Sequence, residues 1–302
     1  MRTVIKDIAK NKYLYLLLLP GLLWFVIYRY LPMFGLVIAF KEFHFSKGIF
    51  GGEWVGLKYF KFIFFEHRNF YQLVVNTLLI NFYKLAFGFP IPIILALMLN
   101  EVRRRKLRSF MQTSIYLPHF VSWVIFGGII VQFLSPSGGI VNQLIQWFGG
   151  EPIFFMASEE YFRSIVVISE IWKNAGWNTI IFLAAIVGVD PTLYEAARID
   201  GAGKLRQIWH VTLPGISETI VVLLLLNIGI LMTTGFDQIY VLYNPAVYSV
   251  GDVISTYVYR VGIGNGRFSL TTAIGLFQSV VGLFLIFTSN FMMRRLYGKS
   301  LW

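Results

Sequence analysis

The chain contains no cysteine, which excludes disulfides, thiolate nucleophiles and cysteine-ligated metal sites. Histidine is nearly as scarce. His44, His67, His119 and His210 are scattered, with no HExxH and no pair at i, i+4, so a zinc-hydrolase reading has no support. Charge is the third shortage: 14% of residues are charged, against about a quarter in soluble domains, while 57% are hydrophobic, so the chain belongs in a bilayer. Acids are the scarcer sign, leaving a net charge of +11. The bases, however, sit in short clusters beside apolar runs. That is how a membrane protein is oriented, not how a nucleic-acid groove is built, so no nucleic-acid partner is expected.

What is present is a series of long apolar segments. Arg2, Lys6, Lys10 and Lys12 precede a first span that begins near Tyr13, and no small-residue cleavage site follows it, so it reads as retained rather than as a signal peptide. It stops near Arg29 or continues tilted to Phe40; a bilayer core needs only about 20 residues. Pro20 and Pro32 are expected to kink it. Residues 41–71 read as an outer loop with short interfacial helices. Further spans are expected at about 72–99, 112–134, 162–189, 216–243 and 268–293, six in all. The run Arg103, Arg104, Arg105, Lys106, Arg108 is the strongest inner-side mark, and Arg198, Lys204, Arg206 and Arg294, Arg295, Lys299 repeat it. Both termini are therefore expected in the cytoplasm. The chain divides into a cytoplasmic N-terminus (1–12), a six-span region (13–293) and a cytoplasmic tail (294–302). Lys41, Lys47, Lys58, Lys61 and Arg68 of the first outer loop dissent from this orientation, but they are dispersed over a long loop.

Between the fourth and fifth spans lies the longest polar segment flanked by apolar ones, 190–214. Asp190 reads as an N-cap with Pro191 at the first helical position, Ala196 and Ala197 favour the helix, and Gly201 supplies a left-handed residue that ends it. A second amphipathic stretch, 204–212, carries Leu205, Ile208, Trp209 and Leu213 on one side, until Pro214 is expected to break it.

Within this segment Glu195, Ala196, Ala197, then Gly201, then Val211, Leu213 and Pro214 have the spacing Glu-Ala-Ala, three residues, Gly, nine residues, Ile, one residue, Leu-Pro. The pattern resembles the EAA loop of permease subunits of binding-protein-dependent ABC importers, with Val211 for isoleucine as its one departure. NEVRRRKLRSFMQTSIYLPHFVSW, DPTLYEAARIDGAG and LYNPAVY extend the resemblance to the maltose-type sugar permeases, most of all those serving oligosaccharides and fragments of polysaccharides such as alginate and pectin. The resemblance implies an all-α integral membrane protein with the six-helix, MetI-like fold of type I importers, in a bacterial cell membrane. It also implies a second permease, two ATPase subunits and an extracytoplasmic solute-binding protein that delivers an oligosaccharide. No cofactor is expected on this chain, since ATP and Mg belong to the ATPases. The tail triplet Gly298, Lys299, Ser300 lacks the earlier glycine of a phosphate loop, Met293 standing there. No covalent chemistry is expected.

Tyr194, Glu195, Ala196, Ala197, Asp200, Gly201, Leu213 and Pro214 are the residues on which the resemblance places ATPase coupling. For the substrate path the residues themselves argue. Ionisable groups inside spans cost about 2.5 to 3.5 kcal/mol at mid-helix, so Lys84, Glu170, Lys173 and Asp237 should face another helix or a wet cavity. Glu170 and Lys173, three apart, can pair on one helix face, as part of the path or as a buried structural pair. Sugars need amides and aromatic faces, which Asn76, Asn81, Trp172, Asn174, Trp177, Asn178, Asn227 and Gln278 offer. Tryptophan near a span end is more often an interfacial anchor than a sugar ligand, which is the stronger reading for Trp123, Trp147 and Trp172. Loops 143–148 and 244–248 are candidate docking points for the solute-binding protein. A stand-alone secondary transporter or a polytopic membrane enzyme is the alternative, but no internal repeat and no polar catalytic cluster is evident.

Overall fold

The computed structural model describes residues 10–233 and 235–297, so most of the N-terminal segment 1–12 and the triplet Gly298, Lys299, Ser300 lie outside it. Among the described residues there is no β-strand, only one isolated antiparallel bridge between Lys41 and Trp54. Three helical stretches are long and apolar enough to cross a membrane: Lys12–Phe40, Phe70–Glu101 and Phe268–Arg295. Three bent pairs pass the same test, and counting each as one crossing gives the six expected. The chain is thus an all-α, multi-pass membrane protein.

Two compact units divide it, Met1–His67 with Val261–Phe277 and Arg68–Arg260 with Gln278–Trp302. In the first, helix α1 (Lys12–Phe25) runs on through a wide turn and a tighter one to Phe40, so Pro20 and Pro32 do not end the span. Phe40 stacks on Trp54 at 5.8 Å, and the Ser269 hydroxyl accepts from the Phe43 N–H and donates to the Lys41 carbonyl.

The second unit is built from α2 (Phe70–Tyr83), α3 (Pro90–Glu101), α4 (Arg105–Phe120), α5 (Trp123–Phe133), α6 (Ile140–Trp147), α7 (Glu159–Val187), α8 (Pro191–Ile199), α9 (Lys204–Gln207), α10 (Ser217–Gly229) and α11 (Phe236–Leu242). The final helix α12 (Phe268–Tyr297) gives its first part to the first unit. Its core has two parts. One gathers Ile80, Phe126, Phe162, Val166 and Ile239; the other gathers Leu99, Phe182, Ile186, Val189 and Ile216. Both draw on α7, the first on its early turns and the second on its last.

Two expected spans are not single helices. The third turns through 101° between α4 and α5, where Val121 is extended and the Ser122 hydroxyl caps α5 by accepting from the Ile125 N–H. The fifth ends at Gly229 and resumes at Phe236. Backbone freed inside a membrane must be satisfied by protein groups. Here the Leu231 carbonyl accepts from Asn81 at 2.7 Å and the Met232 carbonyl from Gln278, so amides on two other helices replace the missing helical bonds.

Candidate functional site

Between the two parts of the core α7 turns a polar face inward. Glu170, Asn174 and Asn178 recur at i, i+4, i+8, which places them on one face of a helix. That face lines a cavity of about 340 Å³, completed by Asn81, Lys84, Gly88 and Pro92 from the second crossing, Trp123 from α5, and Leu223, Asn227, Ile230, Leu231 and Thr233 from α10 and the break that follows it. Lys84 opens a wide helical turn, Lys84–Gly88, of the kind that recurs at functional positions.

The charges inside are arranged in a chain. Glu170 accepts a hydrogen bond from Asn174 at 2.6 Å and lies 3.7 Å from the Lys84 ammonium. Lys84 donates to the Gln238 carbonyl oxygen at 2.5 Å, and the Gln238 amide donates to Val166 O and Ser169 Oγ. Asn174 continues the chain to the His119 ring, 2.9 Å away. Gln238 was not anticipated; its only sequence signal is a lone amide in an apolar run, FDQIYVL.

Several anticipated path residues lie elsewhere. Lys173 does not pair with Glu170: its ammonium, buried, donates to the carbonyls of Pro118, His119 and Val121 at the bend of the third span. Glu170 turns the other way because Asn174 and Lys84 are the groups on its side of α7. Asn76 is buried between the carbonyls of Ser249 and Asp252 and the guanidinium of Arg163, outside the cavity lining. Trp172 packs against Phe126 and Phe133, Trp177 stacks on His119 at 4.5 Å, and Asp237 is exposed in the first turn of α11. Trp123, read as an interfacial anchor, instead lines the cavity.

The segment after α7 folds as two short helices. Asp190 caps α8, its carboxylate accepting from the Thr192 N–H at 2.9 Å, and this bond holds the carboxyl below its ordinary pKa. The cap is therefore present at neutral pH and is lost only on strong acidification. Gly201, at φ 74°, ends α8. The Ala202 N–H bonds to Ala197 O and the Gly201 N–H to Arg198 O, the pair of bonds that closes a helix on a left-handed glycine. The return stretch is not broken by Pro214. Helix runs from Lys204 to Gly215, with Pro214 inside its last turn, and the bend of 61° falls after it. Tyr194 donates to the Thr212 hydroxyl at 3.0 Å, tying the two arms together, and Lys204 pairs with Glu101 at 2.7 Å. Glu195, Ala196 and Asp200 remain exposed, as do Ile199 at 87%, Leu205 at 74% and Trp209 at 67%. Three large apolar side chains thus stand exposed beside a small-residue helix.

A polytopic helical protein with a polar cavity between broken spans, and an exposed helical loop on its fourth connection, has the make-up of a transport permease. The chain belongs to the family of inner-membrane components of binding-protein-dependent transport systems, whose model matches residues 88–299. It is 50% identical over 289 residues, 96% of this chain and 89% of the relative, to the polygalacturonan/rhamnogalacturonan transport system permease protein YteP of Bacillus subtilis. Protein LplB of the same organism is 48% identical, over 97% of this chain and 92% of its own length. Among solved structures, a bacterial ABC transporter involved in the import of the acidic polysaccharide alginate superposes with a TM-score of 0.89 at 43% identity, covering 98% of this chain and 99% of that one. The same transporter in complex with an alginate pentasaccharide-bound periplasmic protein also gives 0.89, at 42% identity.

Proposed function

We propose that this chain is one transmembrane half of an ATP-driven importer that moves an oligosaccharide handed over by a solute-binding protein. The observation that carries the reading is the cavity itself. It is lined by four amide side chains, Asn81, Asn174, Asn178 and Asn227, with an indole at Trp123, the partners that sugar hydroxyls and sugar C–H faces require. The interruption of the fifth span at this level supports it, since irregular backbone inside a membrane is tolerated where it borders a cavity. The exposed loop α8–α9 takes the ATPase: Ala196, Ala197 and Gly201 allow close approach, Glu195 offers a carboxylate that is unpaired here, and Ile199, Leu205 and Trp209 offer apolar surface. The basic clusters put this loop and both termini in the cytoplasm. The pathway is completed by a second permease, and two ATPase subunits supply ATP and Mg.

Reconstitution of the full complex in proteoliposomes tests this. Oligosaccharide uptake should require ATP, the second permease, the ATPases and the loaded binding protein together. Uptake by this chain alone would point to a secondary transporter instead.

A further inference from the structure

The cavity holds one cation and one anion among its lining residues, Lys84 and Glu170, and they are held loosely against each other. Their separation of 3.7 Å is longer than a charge-assisted hydrogen bond, commonly about 2.7 to 2.9 Å. Each is held more closely by a neutral amide: Glu170 by Asn174 at 2.6 Å, Lys84 by Gln238 at 2.5 Å. Gln238 is buried and anchored in turn to Val166 O and Ser169 Oγ, so Lys84 is fixed in place without Glu170. Glu170 is the more exposed partner, its side chain 30% accessible against 13% for Lys84. Glu170 can therefore leave the ammonium while keeping its own amide donor.

From this arrangement, and resting on the reading of the cavity as the sugar path, we infer that Lys84 selects acidic sugars and that Glu170 is an internal stand-in for the sugar carboxylate. In the empty cavity Glu170 neutralises Lys84. A uronate carboxylate entering beside Lys84 takes its place, and Glu170 turns to Asn174 and to water. Exchange of one carboxylate for another keeps the charge on the ammonium balanced at both ends of the step. An uncharged sugar gains nothing from Lys84, because displacing Glu170 would leave the ammonium unpaired in a confined site, which is costly. The wide turn that begins at Lys84 opens the helix at this point and gives the side chain its approach to the cavity.

The test uses the complete importer with its binding protein. A uronate tetrasaccharide and its methyl ester serve as probes, the same glycan with and without charge, drawn from oligogalacturonate and oligoalginate. Wild type should take up the acid at least tenfold better than the ester. Lys84→Met should cut that preference about tenfold, the worth of one charge-assisted contact. Lys84→Arg should restore most of it. Glu170→Gln should act in the opposite direction, lowering the acid concentration that half-saturates uptake while slowing turnover, since Lys84 then has no carboxylate with which to release the sugar. An unchanged acid-to-ester ratio in Lys84→Met overturns the inference, as does a wild type that transports no uronate oligomer. A cysteine at Asn178, in a chain with no other cysteine, separates this from failure of the path reading. If a bulky thiol reagent blocks uptake in Asn178→Cys while the charge variants leave selectivity untouched, the path stands and only the role of Lys84 falls. If the reagent leaves uptake intact, the path reading itself fails.

Discussion

Lys173 Nζ lies 2.8 Å from the backbone carbonyl of His119 and also reaches those of Pro118 and Val121. One ammonium, carried on α7, thus supplies the donors that the third span loses where it turns through 101°. The cation also stands 5.5 Å above the Trp123 ring, so the capped end of α4 and the start of α5 are held by the same group. Lys173→Met keeps the stem and removes the ammonium. Each buried carbonyl left unsatisfied costs about 1 to 3 kcal/mol, so the purified protein should melt several degrees lower. A melting temperature equal to wild type, measured in detergent, would show the bend to be held by other means.

The sequence explains why the cavity residues are only partly legible. Spacing puts Glu170 and Lys173 on one helix face, and Lys84 and Lys173 read as charges that must face another helix or a wet cavity. Spacing cannot tell which neighbour answers a charge. Lys173 looks like a partner for Glu170 because both lie on one helix, yet its partners are carbonyls 52 to 55 positions earlier, freed by a bend that spacing along its own helix does not reveal. The break in the fifth span is marked in the sequence by no more than Thr-Thr-Gly within ILMTTGF, too short a polar interruption to end an apolar run by hydropathy. The loop 190–214, by contrast, was legible almost residue by residue. Its determinants are local: an Asx cap, a proline and a glycine with positive φ.

Gly176 of α7 packs against the backbone of α4 at Ile115. A Cβ there would lie 1.9 Å from the Ile115 carbonyl oxygen, a rigid backbone atom that cannot step aside. Gly176→Ala should therefore separate α4 from α7, at a cost of about 1 to 3 kcal/mol for overpacking. Gly275→Ala, whose Cβ would meet nothing beyond its own helix within 4 Å, is the control and should leave the melting temperature unchanged or slightly raised. Equal melting temperatures for the two variants would contradict the close packing.

Tyr194 stands next to Glu195 but works inward, its hydroxyl donating to Thr212 across the two arms of the loop. Tyr194→Phe removes that bond and little else, costing about 0.5 to 1.5 kcal/mol. Since the bond fixes the angle between the arms, transport per ATP hydrolysed should fall more than hydrolysis itself. In a double-mutant cycle Thr212→Val should add little to Tyr194→Phe. Full additivity of the two changes in transport would show that the hydroxyls act independently.

Gly201 separates two effects that a glycine usually confounds. Its φ of 74° disfavours any other residue, yet a Cβ placed there would meet no atom of this chain within 4 Å. In the isolated permease, then, Gly201→Ala and Gly201→Trp should cost about the same, roughly 1 kcal/mol of backbone strain, because the Cβ of either points into open space. In the assembled importer they should differ if the empty space above Gly201 is filled by the ATPase: alanine should retain most uptake, whereas tryptophan should abolish it while the subunits still co-purify and ATP is still hydrolysed. Melting of the isolated subunit measures the first effect, and uptake per ATP in proteoliposomes measures the second. Equal uptake by the two variants would mean that no partner approaches this face of the loop.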